Sequence, residues 1–177
     1  MDQQPAVPRH DVGMSQIASR VDSRVPSDIV WRACRLGDLS VLDLTRIYRA
    51  RQEVFVIEQQ CIYLDADGAD ERSHHLAAWS PQHELPLAYA RLVEPGVKYA
   101  EPSIGRVITT APARGTGLGR ELMRRVLALA AHTYPGQAIR ISAQSRLARF
   151  YGELGFVAVG TDYLEDGIPH VEMLRPG

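Results

Sequence analysis

The residues best suited to chemistry form one short run, Arg114-Gly115-Thr116-Gly117-Leu118-Gly119-Arg120. Glycines at alternate positions lack β-carbons, so the backbone can turn tightly and bring its N–H groups close to an anion. A helix starting directly behind such a turn adds unpaired donors and the positive end of its dipole. A pyrophosphate is the natural guest, and Arg114 and Arg120 would add charge-assisted contacts. Two nucleotide motifs fail the spacing. The P-loop ends in Gly-Lys-Ser or Gly-Lys-Thr, whereas Gly119 is followed by Arg120-Glu121. The dinucleotide fingerprint needs a third glycine where this chain has Arg120, and no βαβ unit opens the chain. A purely structural glycine turn remains the alternative.

Other reactive side chains are scattered. Cys34 and Cys61 are the only cysteines, too few for a disulfide scaffold, and neither has Cys or His at zinc-site spacing. Cys61 reads as a reactive thiol beside Glu58 or, more simply, as a buried structural cysteine. His74 and His75 are adjacent, and in a strand adjacent side chains point to opposite faces, so one metal site would not use both. No metal is expected. The stretch Glu58–Ser73 carries Asp65, Asp67, Gly68 and Asp70 with little apolar content, which fits either a loop beside a site or a solvated connection.

The elements that position these groups follow from apolar periodicity. Residues 1–27 contain Pro5, Pro8 and Pro26 without a sustained apolar period, and read as a flexible tail. Residues 28–177 then form one domain. Ile29–Arg35 reads as a strand, and Asp38 or Ser40 caps a helix running to about Glu58, with Leu44, Ile47, Tyr48, Arg51 and Phe55 inward. His75–Ser80 and Leu87–Glu94 make a hairpin across Pro81-Gln82-His83-Glu84. Ser103–Thr110 is a β-branched strand. The glycine turn follows, and from Leu118 apolar residues recur at helical spacing through Leu122, Val126 and Leu129. Ile139 and Ile141 mark a strand, Leu147–Leu154 a helix stopped at Gly155, and Phe156–Gly160 and His170–Leu174 the closing strands. This order implies an α/β or α+β fold: a mixed sheet covered by helices on both faces.

Composition sets the outer limits. With 177 residues, 45% hydrophobic and 23% charged, the chain has material for one packed domain. A formal net charge of −1 gives no positive field for general nucleic-acid binding. Arg114, Arg120, Arg124 and Arg125 form a local basic cluster fit for one polyanionic cofactor, or else a solvated helix face for the last two. No apolar leader and no run near the roughly 20 apolar residues of a membrane span is present, so a cytoplasmic protein without membrane attachment is expected.

Arg114, Gly117 and Gly119 match the signature of the GNAT superfamily of N-acetyltransferases, which this sequence resembles. Leu147-Ala148-Arg149-Phe150-Tyr151-Gly152-Glu153-Leu154-Gly155-Phe156 is similar to that family's second hallmark, a tyrosine helix ending in Gly-Phe. More narrowly, Arg51–Gln59, His74-His75-Leu76 and Tyr163–His170 resemble the ElaA-type branch. The resemblance covers residue 29 onward. It implies a mostly antiparallel central sheet whose strands splay at an acetyl-CoA site. Val107, Ile108 and Thr109 would pair with the pantetheine arm, and Arg114–Arg120 would hold the diphosphate. Many family members have asparagine at the start of the tyrosine helix; here Gln144 or Ser145 stands in its place.

The resemblance further implies acetyl transfer from acetyl-CoA to a small-molecule or peptide amine in a ternary complex. Tyr151 is then the candidate proton donor to the departing thiolate, against the alternative of a core tyrosine. A backbone N–H near Ile108 or Thr109 would hold the carbonyl oxygen. Glu58, His75, Glu165, Asp166 and His170 are candidate bases, His170 first, with a strand histidine bonded to a carbonyl as its alternative. His75, Glu165 and Asp166 are candidates for holding the acceptor. Arg51 and Arg106 suit buried ion pairing as well as ligand binding. Two other functions stay open: a non-catalytic acyl-CoA-binding module, and an acyltransferase like acyl-homoserine-lactone synthases. The acceptor's identity and the oligomeric state, a homodimer included, are not legible.

Overall fold

The computed structural model describes residues 28–177, so the tail expected over residues 1–27 lies outside the described residues. The strands are β1 (Val30–Arg35), β2 (Ser73–Trp79), β3 (Ala88–Val93), β4 (Ser103–Thr109), β5 (Ile139–Gln144), β6 (Val157–Ala158), β7 (Tyr163–Glu165) and β8 (Ile168–Arg175). The helices are α1 (Val41–Gln52), α2 (Leu118–Thr133) and α3 (Ala148–Gly152). The strands join in one sheet of order β1-β2-β3-β4-β5-β8-β6, with β7 hairpinned onto β8. Every pairing is antiparallel except β4 with β5. This is the mixed α+β architecture that the residue pattern implies.

Alternation along the central strands builds two cores. Leu76, Ala78, Ala88, Ala90 and Leu92 face α2, whose stripe Leu118, Leu122, Met123, Val126 and Ala130 is fully buried, and Tyr151 and Phe156 close the same core. The intervening residues Ala77 and Tyr89 face the other way and pack on Ile47, Ala50 and Val54 of the α1 segment. Period two in β2 and β3 and period 3.6 in the helices thus assign these residues to the two faces.

Helix starts and stops have local causes. The Ser40 hydroxyl accepts from the Asp43 amide at 3.0 Å and caps α1, while Asp38 falls in a preceding short turn. The α-helix expected to reach Glu58 ends at Gln52 and widens into a π-type turn over Glu53–Glu58. Such widenings re-aim side chains; this one leads into the loop that borders the cleft. The strand expected over Phe156–Gly160 is only two residues long, and β7 was not foreseen. Both are short edge pieces that lean on β8, too short to show a period.

Two irregularities shape the centre of the sheet. Tyr89 pairs with Ile108 and Arg91 with Gly105, so Arg106 and Val107 together oppose Ala90: a β-bulge. Its effect is visible in the packing, because Ile104 lies in the α2 core and Ile108, four residues on, lies in the α1 core. An unbroken period of two would put them on the same face. Secondly, β4 and β5 pair only at Ser103–Arg140. Beyond that point the two strands part.

Candidate active site

The parting of β4 from β5 opens a cavity of about 390 Å³. Its walls are Ser103–Val107 on β4, and Ile141, Ser142 and Gln144 on β5. Tyr151 comes from α3, Glu165, Asp166 and His170 from the β7–β8 hairpin, and Phe55, Gln59, Cys61 and Tyr63 from the segment behind α1. Past Ser103 the peptide groups of β4 that face β5 have no strand partner, so this edge is open to an extended ligand.

At the end of β4 the chain turns through Ala111–Ala113 into the glycine run. Gly115 and Gly117 have φ of +75° and +86°, a region a residue with a β-carbon enters only with strain, and Gly117 is the N-cap of α2. Among the described residues the amides of Gly115, Thr116 and Gly117 find no backbone acceptor, and Leu118 N sees only the Thr116 hydroxyl at 3.4 Å. Free donors therefore lie beside the positive end of the α2 dipole. The side chains of the basic cluster are less available. Arg114 pairs with Glu58 at 2.5 Å, Arg120 with Glu153 at 2.6 Å, and Arg124 and Arg125 both bind Glu121.

Tyr151 is buried, edge-on to Phe150 and Phe156, and lines the cleft. Burial alone pushes its phenol up to about 12. His170 is half-buried opposite Gln144 in the β5–β8 register, with Nδ1 2.8 Å from the Ile168 carbonyl oxygen. A carbonyl only accepts, so Nδ1 is the donor, and in the neutral ring Nε2 is the nitrogen with the lone pair. Ser142 holds both the Tyr163 hydroxyl, at 2.5 Å, and Glu165, at 3.1 Å. Gln144 bridges the cleft: its Nε2 donates to Gln59 at 2.9 Å, and Arg146 donates to its oxygen. Ser145 does not line the cavity, yet its hydroxyl is buried without a hydrogen-bond partner among the described residues.

Two sequence expectations are corrected. His75 is buried, not at an acceptor site: its Nδ1 meets the Tyr89 hydroxyl at 2.7 Å and its Nε2 the Asp70 carbonyl at 3.0 Å. Burial lowers its pKa, as expected for an imidazole kept from water. Glu58 does not line the main cleft; it borders a smaller pocket of about 230 Å³ that Thr110, Ala111 and Pro112 also line, and is the counter-ion of Arg114. Of the two readings of the acidic stretch, the loop beside a site holds and the solvated connection does not, since Asp67 lines the cleft. Asp70 takes Arg51 and Arg91, each at 2.9 Å, and Asp67 takes Arg91 at 2.7 Å and Lys98 at 2.8 Å. Burial opposes ionisation of both carboxyls, but these guanidinium bonds outweigh it and hold them below the usual range. Arg51 and Arg106 are likewise committed to ion pairs.

Cys61 lines the cleft but is buried, and burial, followed by Asp166 and Glu165, raises its pKa. That removes thiolate character. Sequence reasoning missed Tyr63, Tyr99, Ser142 and Arg146. The alternation Ile139-Arg140-Ile141-Ser142-Ala143-Gln144 carried a signal for Ser142, since polar residues at even positions mark the face turned from the core. Tyr63 and Tyr99 sit in irregular segments with no period to read.

A mostly antiparallel sheet split at its parallel β4–β5 pair, with a glycine-rich helix start at the lip of the split, is the α+β fold of the GNAT class. Residues 52–175 match the family described as acetyltransferase (GNAT) domain, and the chain belongs to that family. It is similar to the UPF0039 protein sll0451 of Synechocystis, with 43% identity over 83% of this chain and 95% of the relative. The crystal structure of an acyl-CoA N-acyltransferase from Pseudomonas aeruginosa matches with TM-score 0.79 and 42% identity, covering 83% of this chain and 99% of the other. Escherichia coli ElaA matches with TM-score 0.77 and 36% identity over 83% and 99%. Family membership implies binding of an acyl-CoA, and the residues fit one: amides at Gly115–Gly117 without backbone acceptors among the described residues, and an open β4 edge. No helix among the described residues is long and apolar enough to cross a membrane.

Proposed function

We propose that the protein is an N-acetyltransferase that moves the acetyl group of acetyl-CoA to a primary amine, both held together in the cleft for direct transfer. The observation that carries this is the divergence of β4 from β5 after a single paired position, which leaves a cavity lined by Tyr151 and His170. Acetyl-CoA supplies an activated acyl thioester. The amides of Gly115–Gly117 and the start of α2 bind its diphosphate. Peptide groups of Val107, Ile108 and Thr109 take its arm along the open edge, and an amide there polarises the carbonyl oxygen.

Tyr151 serves as hydrogen-bond and proton donor toward the departing sulfur; with its phenol held at about 12 it stays neutral at every working pH. The base is His170. With Nδ1 committed to Ile168, its Nε2 is free to take a proton from the amine. The requirement scales with the acceptor: neutralising a lysine-like amine at pH 7 costs roughly 4 to 5 kcal/mol, an α-amine about 1. Glu165 and Asp166, exposed at the β7–β8 turn and part of the cleft wall, attract the incoming cation.

An amine-library screen that follows free CoA release tests this reading, run in parallel on the wild type and Tyr151→Phe. Mass spectrometry of products from acetyl-CoA and longer acyl-CoAs reads the acyl preference. Absence of binding to acetyl-CoA or CoA in calorimetry at millimolar concentration would reject it.

A further inference from the structure

The bulge in β4 is held by more than its own hydrogen bonds. Arg106, its first residue, has φ +53°, a left-handed conformation that is strained for any residue with a β-carbon. Its guanidinium is fixed in two ways. The fork binds the loop: Nε donates to Asp65 Oδ1 at 2.8 Å, and Nη2 donates to the Asp65 carbonyl at 3.3 Å and to Asp67 Oδ2 at 3.4 Å. The plane lies over aromatic rings, 4.8 Å from the centre of Tyr63 and 5.8 Å from that of Phe55.

Asp65 is in turn tied to α1. Arg51 Nη2 donates to its carbonyl at 2.7 Å, and Arg51 Nε lies 2.9 Å from Asp65 Oδ2, an ion contact too poorly angled to count as a hydrogen bond. Arg51 is wholly buried and Asp65 nearly so. Ion pairs removed from water contribute little net stability, because desolvation offsets the attraction. A chain of contacts from α1 through Arg51 and Asp65 to Arg106 is therefore better explained by what it specifies than by what it stabilises. What it specifies is the conformation at the one place where β4 leaves the regular ladder and borders the cavity.

We propose that Asp65 and Arg106 are positioning residues: their ion pair, backed by Arg51 and seated on Tyr63 and Phe55, locks the β4 bulge so that its peptide groups meet the thioester carbonyl. This rests on the acyltransferase reading above and adds to it the part played by the acidic loop. The loop, separate in sequence from every cofactor-binding residue, sets the alignment of the reacting acyl group.

The test is isotope-edited infrared spectroscopy of [1-13C]acetyl-CoA bound to the full-length wild type, Asp65→Asn and Arg106→Gly, with calorimetry of CoA alone. Glycine accepts φ +53° without strain, so Arg106→Gly keeps the bulge accessible while removing the clamp. In the wild type the bound carbonyl stretch falls below its value in water; both variants bind CoA as the wild type does but lose most of that lowering. Once an accepted amine is known, kcat falls by roughly a hundredfold, the scale of an ångström-size misplacement, at nearly constant KM for acetyl-CoA. Folded variants that keep the full lowering overturn the inference, as does a wild type that binds acetyl-CoA without shifting its carbonyl. A wild type that binds neither acetyl-CoA nor CoA overturns the acyltransferase reading instead.

Discussion

Replacing Tyr151 with Phe removes one oxygen and keeps the ring. The contacts made by Tyr151 are ring contacts, 5.1 Å to Phe150 and 6.0 Å to Phe156 between centroids, and both persist in the variant. Stability should change by less than about 1 kcal/mol, since no protein hydrogen bond is deleted among the described residues. Catalysis should change far more. The phenol is raised to about 12 by burial, whereas a reference thiol lies near 8.5, so complete proton transfer to a free thiolate is uphill by roughly 3.5 units, or about 5 kcal/mol. The donor therefore acts mainly through a hydrogen bond to the charge that grows on sulfur. A hydrogen bond to a charged group is worth about 1.5–3 kcal/mol, which predicts a drop in kcat of roughly 10- to 150-fold. Steady-state thiol release at saturating acetyl-CoA measures it, with calorimetry to show that acetyl-CoA affinity holds. The wild-type rate should show no alkaline limb from Tyr151 below about pH 11. A variant kcat equal to that of the wild type would refute the reasoning. So would an alkaline limb near pH 9 that the variant lacks, because it would mean the phenol ionises far below the value its burial imposes.

At the phosphate turn, Gly117→Ala places a β-carbon at φ +86°, which costs about 1–2 kcal/mol and should lower both the melting temperature and the CoA affinity. Glu58→Gln frees Arg114 from its counter-ion and should tighten CoA binding by up to about fivefold in calorimetry, the limit for an exposed pair; weaker binding would contradict that role. Asp70→Asn leaves the buried guanidiniums of Arg51 and Arg91 short of a charge partner and should cost about 3–5 kcal/mol in urea unfolding. The same pairing makes the fold acid-sensitive. The folded-state pKa values of Asp67 and Asp70 are depressed, so the unfolded chain takes up protons first; this stability is complete above the unfolded value near 3.9 and drains as pH falls below it. Urea midpoints measured from pH 7 to 3 should fall steeply only at the acid end.

What was legible in the sequence has local causes. Alternation in β5, the helical stripe from Leu118 to Ala130 and the glycines at 115 and 117 each report a backbone geometry that neighbouring residues dictate. The glycine turn was readable because free amides and positive φ are properties of the chain itself. Tyr151 was named from the resemblance and His170 from the chemistry of an imidazole in a polar segment, and the fold brings both to one cavity.

Partnership between distant charges was not legible. Composition left Asp65, Asp67 and Asp70 as either a loop beside a site or a solvated connection, and read Glu58 and His75 as groups free for chemistry. Each pairs instead with a residue that the fold delivers: Arg51 and Arg91 to Asp70, Arg106 to Asp65, Arg114 to Glu58, Tyr89 to His75. A carboxylate's role depends on whether a cation lies within a few ångströms, and sequence order does not encode that distance. The bulge at Arg106 shows the same limit, because a single unpaired residue turns Ile108 to the opposite face from Ile104 and leaves no mark in the pattern of residue types. The sequence by itself determined the elements and the phosphate turn, whose forces act within a few residues; only the tertiary structure decided which ionisable groups are free, since pairing and desolvation belong to the space between elements.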